Sequence, residues 1–124
     1  MVNQLVNFMT EQPELDGTFD ALANTHRRAI VTALGLQPRS ISQLAAMRSL
    51  SLPAIHKHIR VLESAELVVR KKVGRTNFLA LNRVPLREMQ EWIGGFNPHW
   101  GSEKETLENY AQYLGSEHPD KEGP

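Results

Sequence analysis

His56, Lys57, His58 and Arg60 fall within five residues, and Arg70, Lys71, Lys72 and Arg75 within six, so one short stretch concentrates cations and imidazoles. Guanidinium and ammonium groups make charge-assisted bonds to phosphate, while an imidazole can donate to or accept from a base edge. The spacing separates these roles. Leu52, Ile55, Ile59 and Leu62 recur at helical intervals and are expected to face a core. Stepping about 100° per residue from Ile55 then puts Lys57 and Arg60 on the opposite side, with His56 and His58 on the two flanks.

The elements that must carry these groups are a capped helix and a hairpin. Ser51 can cap the helix, and Pro53 sits in its first turn, where a missing N–H costs little. After it, LVVRKKV and NFLAL read as strands joined at Gly74, Arg75 and Thr76. A helix for the major groove of duplex DNA followed by a basic wing for its backbone is the expected arrangement. Alternation along the first strand sends Lys71 to the face opposite Arg70 and Lys72.

Upstream, Asn24 can cap a helix over residues 25–35 with Ile30, Ala33 and Leu34 inward, and Thr18 a turn containing Phe19, Ala21 and Leu22. Ser40 and Gln43 fit a capping box, followed by Leu44, Ala45 and Met47. Arg48, Ser49 and Leu50 form the tight turn before the reading helix, which completes a helix-turn-helix unit. At the N-terminus Val2, Leu5, Val6 and Met9 make an amphipathic stripe that Pro13 and Gly17 punctuate, either a dimer-forming helix or a tail.

Downstream of the hairpin, Leu86, Met89, Trp92, Ile93 and Phe96 share a broad apolar face on a helix opened by Asn82 to Pro85 and ending near Gly94, Gly95 and Pro98. Ser102 and Glu105 make another capping box, before a helix striped by Leu107, Tyr110, Ala111 and Leu114. These apolar faces exceed what one small core needs, so dimerisation through Leu5, Met9, Met89, Trp92, Phe96, Leu107, Tyr110 and Leu114 is expected. Trp92, Phe96 and Trp100 could alternatively line an effector pocket. Residues 115–124 are expected to be disordered.

The 124 residues suit one domain without a separate catalytic unit. Formal net charge is zero, yet it is segregated: residues 1–26 sum to −4, residues 27–87 to +10 and residues 88–124 to −6. The basic block coincides with the helix and hairpin. Without cysteine there is no disulfide framework or thiolate metal ligand. No signal peptide or membrane-length apolar run is apparent, which makes a soluble cytoplasmic protein the default expectation. No phosphate-binding glycine loop, nucleophile elbow or paired apolar carboxylates appear, so an enzyme is not expected and no cofactor is implied.

The runs FDALANTHRRAIVTAL, SISQLAAMRSLSLPAIHKHIRVLESAELVVRKKVGRTNFLALN and PLREMQEWI, with Trp100 downstream, resemble the ArsR-type winged helix-turn-helix repressors over roughly residues 18–114. The closest likeness is to the branch that lacks metal ligands and carries a Trp-containing helix after the wing. The specific signal is SLPAIHKHIRVLE together with a GRxxxxxLN wing. Three places depart from the family pattern: Asn24-Thr25-His26 where Asp-Pro-Thr is usual, His56 where a small Ser is common, and Glu66 where Gly usually follows the reading helix. Asn caps as well as Asp, whereas a non-Gly residue in a left-handed helix end costs about 1 kcal/mol.

The resemblance implies an α+β, mainly helical fold, a winged helix-turn-helix with a two-stranded wing and terminal dimerisation helices. Its expected divisions are an N-terminal dimerisation helix or tail at 1–17, a DNA-binding core at 18–83, dimerisation helices at 84–114 and the tail at 115–124. A homodimeric repressor of a pseudo-palindromic double-stranded operator follows. In the reading helix Ser51, Ala54, His56 and His58 are expected at base edges, and Lys57 and Arg60 at phosphates. His58 could instead bond a neighbouring helix. In the wing the candidates are Arg70, Lys72, Arg75 and Thr76, and Arg48 is a further candidate beside the turn. Two histidines at i and i+2 do not share a helical face, and His99, Glu103 and His118 match no compact motif, so no metal site is expected. Two other readings are a winged-helix protein-interaction module that does not bind DNA and a metal-responsive repressor using histidines.

Overall fold

The computed structural model describes residues 13–96 and 103–117. Helices α1 (Pro13–Leu22) and α2 (Thr25–Leu36) lead through the short strand β1 (Arg39–Ser40) to α3 (Ile41–Arg48) and α4 (Leu52–Ser64). Strands β2 (Val68–Val73) and β3 (Thr76–Leu81) form the wing, followed by α5 (Val84–Gly94) and α6 (Glu103–Glu117). Contacts divide the chain into two units, one ending at Glu91 and the other beginning at Trp92.

Local chemistry sets most helix starts. The Asn24 side chain accepts from the Arg27 amide at 3.1 Å to start α2. At α3 the capping box is closed both ways: Ser40 Oγ accepts from the Gln43 amide at 3.1 Å, and Gln43 Oε1 accepts from the Ser40 amide at 2.9 Å. Helix α1 differs from expectation. It runs unbroken across Gly17 and thus across the boundary drawn at residues 17 and 18, with Thr18 buried inside it rather than capping a turn. The Thr18 hydroxyl donates to the Glu14 carbonyl at 3.1 Å, which satisfies it without a cap position.

One core joins these elements. Ile30, Leu44, Ile55, Ile59, Leu62, Leu67 and Leu79 are wholly buried there, with Ala33, Leu34, Ile41 and Ala45 around them. One residue expected inward is not: Leu52 is 51% exposed. Leu52 occupies the first position of α4, one turn before the buried stripe is complete.

Helices α3 and α4 end in the same manner. The Leu50 amide reaches the Ala45 carbonyl at 2.9 Å and the Ser49 amide the Ala46 carbonyl at 3.1 Å; Leu67 and Glu66 repeat this with Leu62 and Glu63, both at 2.9 Å. Each is a Schellman end, and each sets a non-glycine residue in the left-handed region, Ser49 at φ 53° and Glu66 at φ 59°. Asn82 secures the second end by donating its Nδ2–H to the Glu66 carbonyl at 2.8 Å.

The sheet has three strands in the order β1-β3-β2, all antiparallel, so β1 is an addition to the two-stranded wing expected. Val73 pairs with Thr76 across a two-residue tip. Gly74 there has φ +62°, the positive value that a tight hairpin requires at its first central position.

A polar seam fixes α4 to its neighbours. Arg48 Nε donates to His26 Nδ1 at 3.1 Å, the His26 and His58 rings lie 5.4 Å apart, and Arg27 Nη1 approaches His58 Nδ1 at 3.3 Å. Arginine can only donate, so both Nδ1 atoms act as acceptors in this arrangement. Burial, then the Arg27 charge, then His26, hold the His58 pKa below its ordinary value.

In the second unit, Trp92 and Phe96 meet edge to face at 5.0 Å, and Tyr110 and Tyr113 stack at 6.3 Å. Helix α6 continues through Gly115 to Glu117, where disorder was expected. Leu5, Met9, His99, Trp100, Ser102, His118 and the tail from 118 to 124 lie outside the described residues, as does the side chain of Glu103.

Two stability predictions follow from the helix end and the seam. Glu66→Gly should stabilise the fold by about 1 kcal/mol by relieving the left-handed strain, and an unchanged or lower denaturant midpoint would refute this. For His58, the unfolded ring protonates near pH 6.5 but the folded ring resists, so its stabilising contribution is complete above about 6.5 and declines below, toward the folded pKa. Wild-type stability should therefore fall, as pH drops below about 6.5, more steeply than that of His58→Gln, which keeps an acceptor but cannot titrate. Equal slopes in urea titrations would count against the seam.

Candidate nucleic-acid interface

The buried edge of α4 determines what its other sides present. With Ile55, Ile59 and Leu62 inward, Lys57 and Arg60 are exposed, His56 is half-buried on the wing flank and His58 is half-buried on the α2 flank. Arg60 borders a cleft toward α1 that Asp20 and Arg27 also line. Ser51 Oγ accepts from the Ala54 amide at 3.3 Å, which leaves its hydroxyl proton free to donate outward. Ala54 is half-buried beside it.

Between the reading helix and the wing lies an open groove of about 220 Å³ lined by Ser40, Ile41, Ser42, Leu52, His56, Arg75, Thr76 and Asn77. It brings together the start of α3, the first turn and wing flank of α4, and the hairpin tip. Its donors are hydroxyl, amide, imidazole and guanidinium, with no carboxylate among the lining residues. Such a surface suits phosphate oxygens and base edges. His56, Arg75 and Thr76 from the sequence-based set meet here. Ser42 and Asn77 were not foreseen, because their place depends on β1 pairing with β3.

The strand register sorts the wing cations. Arg70 stands opposite the buried Leu79, and Lys72 opposite Asn77, whereas Lys71 shares the other face with Phe78. Arg70 is engaged by both oxygens of Glu63: Nε reaches Oε2 at 3.1 Å and Nη2 reaches Oε1 at 3.0 Å. This fork ties the base of the wing to the end of the reading helix and neutralises the charge assigned to a phosphate. Lys72 and Arg75 remain exposed near the tip.

Two other expected contacts have inward partners. Arg48 commits its Nε to His26, and His58 commits Nδ1 to Arg27, the structural alternative considered for that ring. Its lowered pKa keeps it an acceptor. Arg27 also donates to the Ala21 and Asp20 carbonyls, and Arg28 to that of Leu22. Among the described residues, no group of three His, Asp or Glu side chains could hold a metal ion, and no helix is long and apolar enough to cross a membrane.

A helix-turn-helix domain family matches residues 22–71. The HTH-type transcriptional regulator Rv2034 of Mycobacterium tuberculosis is 32% identical over 105 residues, 85% of this chain and 92% of that protein. Among solved structures, an ArsR family transcriptional regulator is similar with a TM-score of 0.65 at 32% identity, over 73% of this chain and 94% of the other. An ArsR-like transcriptional regulator from Rhodococcus sp. RHA1 gives 0.64 at 28% identity, over 84% and 93%. The fold is thus shared with transcriptional regulators, and the chain belongs to the ArsR-type family of winged helix-turn-helix regulators.

Proposed function

We propose that the protein is a cytoplasmic, homodimeric repressor that binds a pseudo-palindromic operator in double-stranded DNA and blocks promoter access. The observation that carries this reading is the shared groove, in which the reading helix and the wing tip present donors to one side without an opposing carboxylate. A helix in the major groove and a hairpin tip along the adjacent backbone fit that geometry. Lys57, Arg60, Lys72 and Arg75 supply phosphate attraction, while Ser51, Ala54 and His56 select bases.

Pairing of two copies is supported by exposed apolar side chains. Trp92 and Phe96 in one segment, and Leu107, Tyr110 and Tyr113 along α6, leave large hydrophobic area open to solvent. Met89 and Leu114 are half-buried and extend the two faces. A two-fold dimer would set two reading helices about 34 Å apart, in successive major grooves.

Light scattering should give twice the mass of one chain at micromolar concentration, and Leu107→Glu with Tyr110→Glu should give a folded monomer. A wild-type monomer, with and without DNA, would remove the dimer and the palindrome together.

Binding to duplexes of varied sequence and salt separates attraction from selection. Arg75→Ala should weaken specific and random duplexes alike and lower the salt slope by about one per subunit. His56→Ala should cost roughly 1–3 kcal/mol on the preferred site and little on random DNA. An unchanged specific-to-random ratio in folded His56→Ala would exclude it as a base-reading residue. Binding of a partner protein that ignores ionic strength, without DNA binding, would favour an interaction module instead.

A further inference from the structure

The first turn of the reading helix is chemically unlike the rest of the interface. Leu52, Pro53 and Ala54 carry no side-chain donor or acceptor, and the preceding Ser51, its oxygen accepting as the cap, keeps only a hydroxyl proton to offer. Leu52 is 51% exposed although Ile55, Ile59 and Leu62 of the same helix are wholly buried. Its position on the wing flank places it in the groove with His56, four residues on, and with Arg75 and Thr76.

In helix-turn-helix docking the N-terminal residues of the reading helix are the ones that meet base edges. In the major groove those edges are donors and acceptors, with one apolar exception: the C5 methyl of thymine. A leucine pressed against guanine O6 and N7 or cytosine N4 would strip water from a polar atom without replacing its hydrogen bond, at a cost in affinity. Against a methyl it removes apolar surface from water on both sides.

We propose that Leu52, flanked by Pro53 and Ala54, reads the C5 methyl of a pyrimidine, thymine in unmodified DNA, and so determines the base accepted beneath the tip of the reading helix. His56 then reads beside it on the same helix edge, through hydrogen bonds. The assignment rests on the DNA-binding reading and adds to it a specificity residue with no polar chemistry of its own.

The test uses the full chain and a duplex enriched by it from a random pool. Each thymine of that duplex is replaced singly by deoxyuridine, which lacks only the methyl, and affinity is measured by fluorescence anisotropy. At one position in each half-site the wild type should lose affinity by roughly fourfold, the factor that burial of one methyl group is worth. Leu52→Ala, its fold checked by circular dichroism, should bind the parent duplex more weakly and be indifferent to deoxyuridine at those positions. In a second arm 5-methylcytosine replaces each cytosine. A gain there for the wild type but not for Leu52→Ala, without any deoxyuridine effect, assigns the methyl to modified cytosine. Wild-type affinity unchanged by either substitution overturns the proposal, as does a methyl dependence that Leu52→Ala retains. Failure to enrich any duplex overturns the DNA-binding reading beneath it, a distinguishable result.

Discussion

Everything the reading helix offers to solvent depends on the burial of three side chains. Ile55, Ile59 and Leu62 are fully enclosed by residues of α2, α3 and the sheet, and each is worth roughly 1.5–3 kcal/mol when buried. Rotating α4 forward by one residue would exchange these aliphatics for His56, Arg60 and Glu63, which an apolar interior rejects. The core therefore holds the angular setting of the helix, and the outward cations inherit their direction from it. Stability and recognition are two faces of one helix.

Where the chain's structure is governed by neighbouring residues, the sequence is a reliable guide. The Asn24 and Ser51 caps, the Ser40 and Gln43 box and the hairpin at Gly74 each depend on contacts within four residues, and all stand where spacing places them. Glu66 is a sharper case, since its departure from glycine was legible and its backbone does adopt the left-handed conformation. What local spacing could not reveal are partners distant in sequence or determined by register. Periodicity placed Leu52 in the core because it has no means of knowing where the covering elements stop. Arg70 and Glu63 are seven residues apart across a helix end, and their pairing depends on strand direction. Arg48 and His26 are 22 residues apart, and Arg27 and His58 are 31 apart. The pairing of β1 required a two-residue segment too short to show any alternation.

The seam through His26 and His58 solves a problem of charge. Arg27 and Arg48 lie half-buried, and among the described residues neither is paired with a carboxylate. Imidazole nitrogens and backbone carbonyls satisfy the guanidinium groups without cancelling their charge, so the basic character of the central block survives inside the helical scaffold as well as on its surface. A carboxylate at either histidine would bind more strongly, yet it would also remove positive potential from beneath the reading helix. The fork of Arg70 with Glu63 makes the opposite choice at the base of the wing, spending one cation on mechanical attachment.

Ser40 belongs to two elements at once. As a member of β1 it pairs with Phe78, and as the cap of α3 it holds the Gln43 amide. A shift of β3 by a single residue would turn every one of its side chains to the opposite face. Here β3 is paired as well with β1, whose Ser40 is held in place as the α3 cap, so the wing is keyed to the scaffold as a pawl is to a ratchet. The keying denies the misfolded alternative in which Phe78 takes the place of the buried Leu79 on the core face of the sheet.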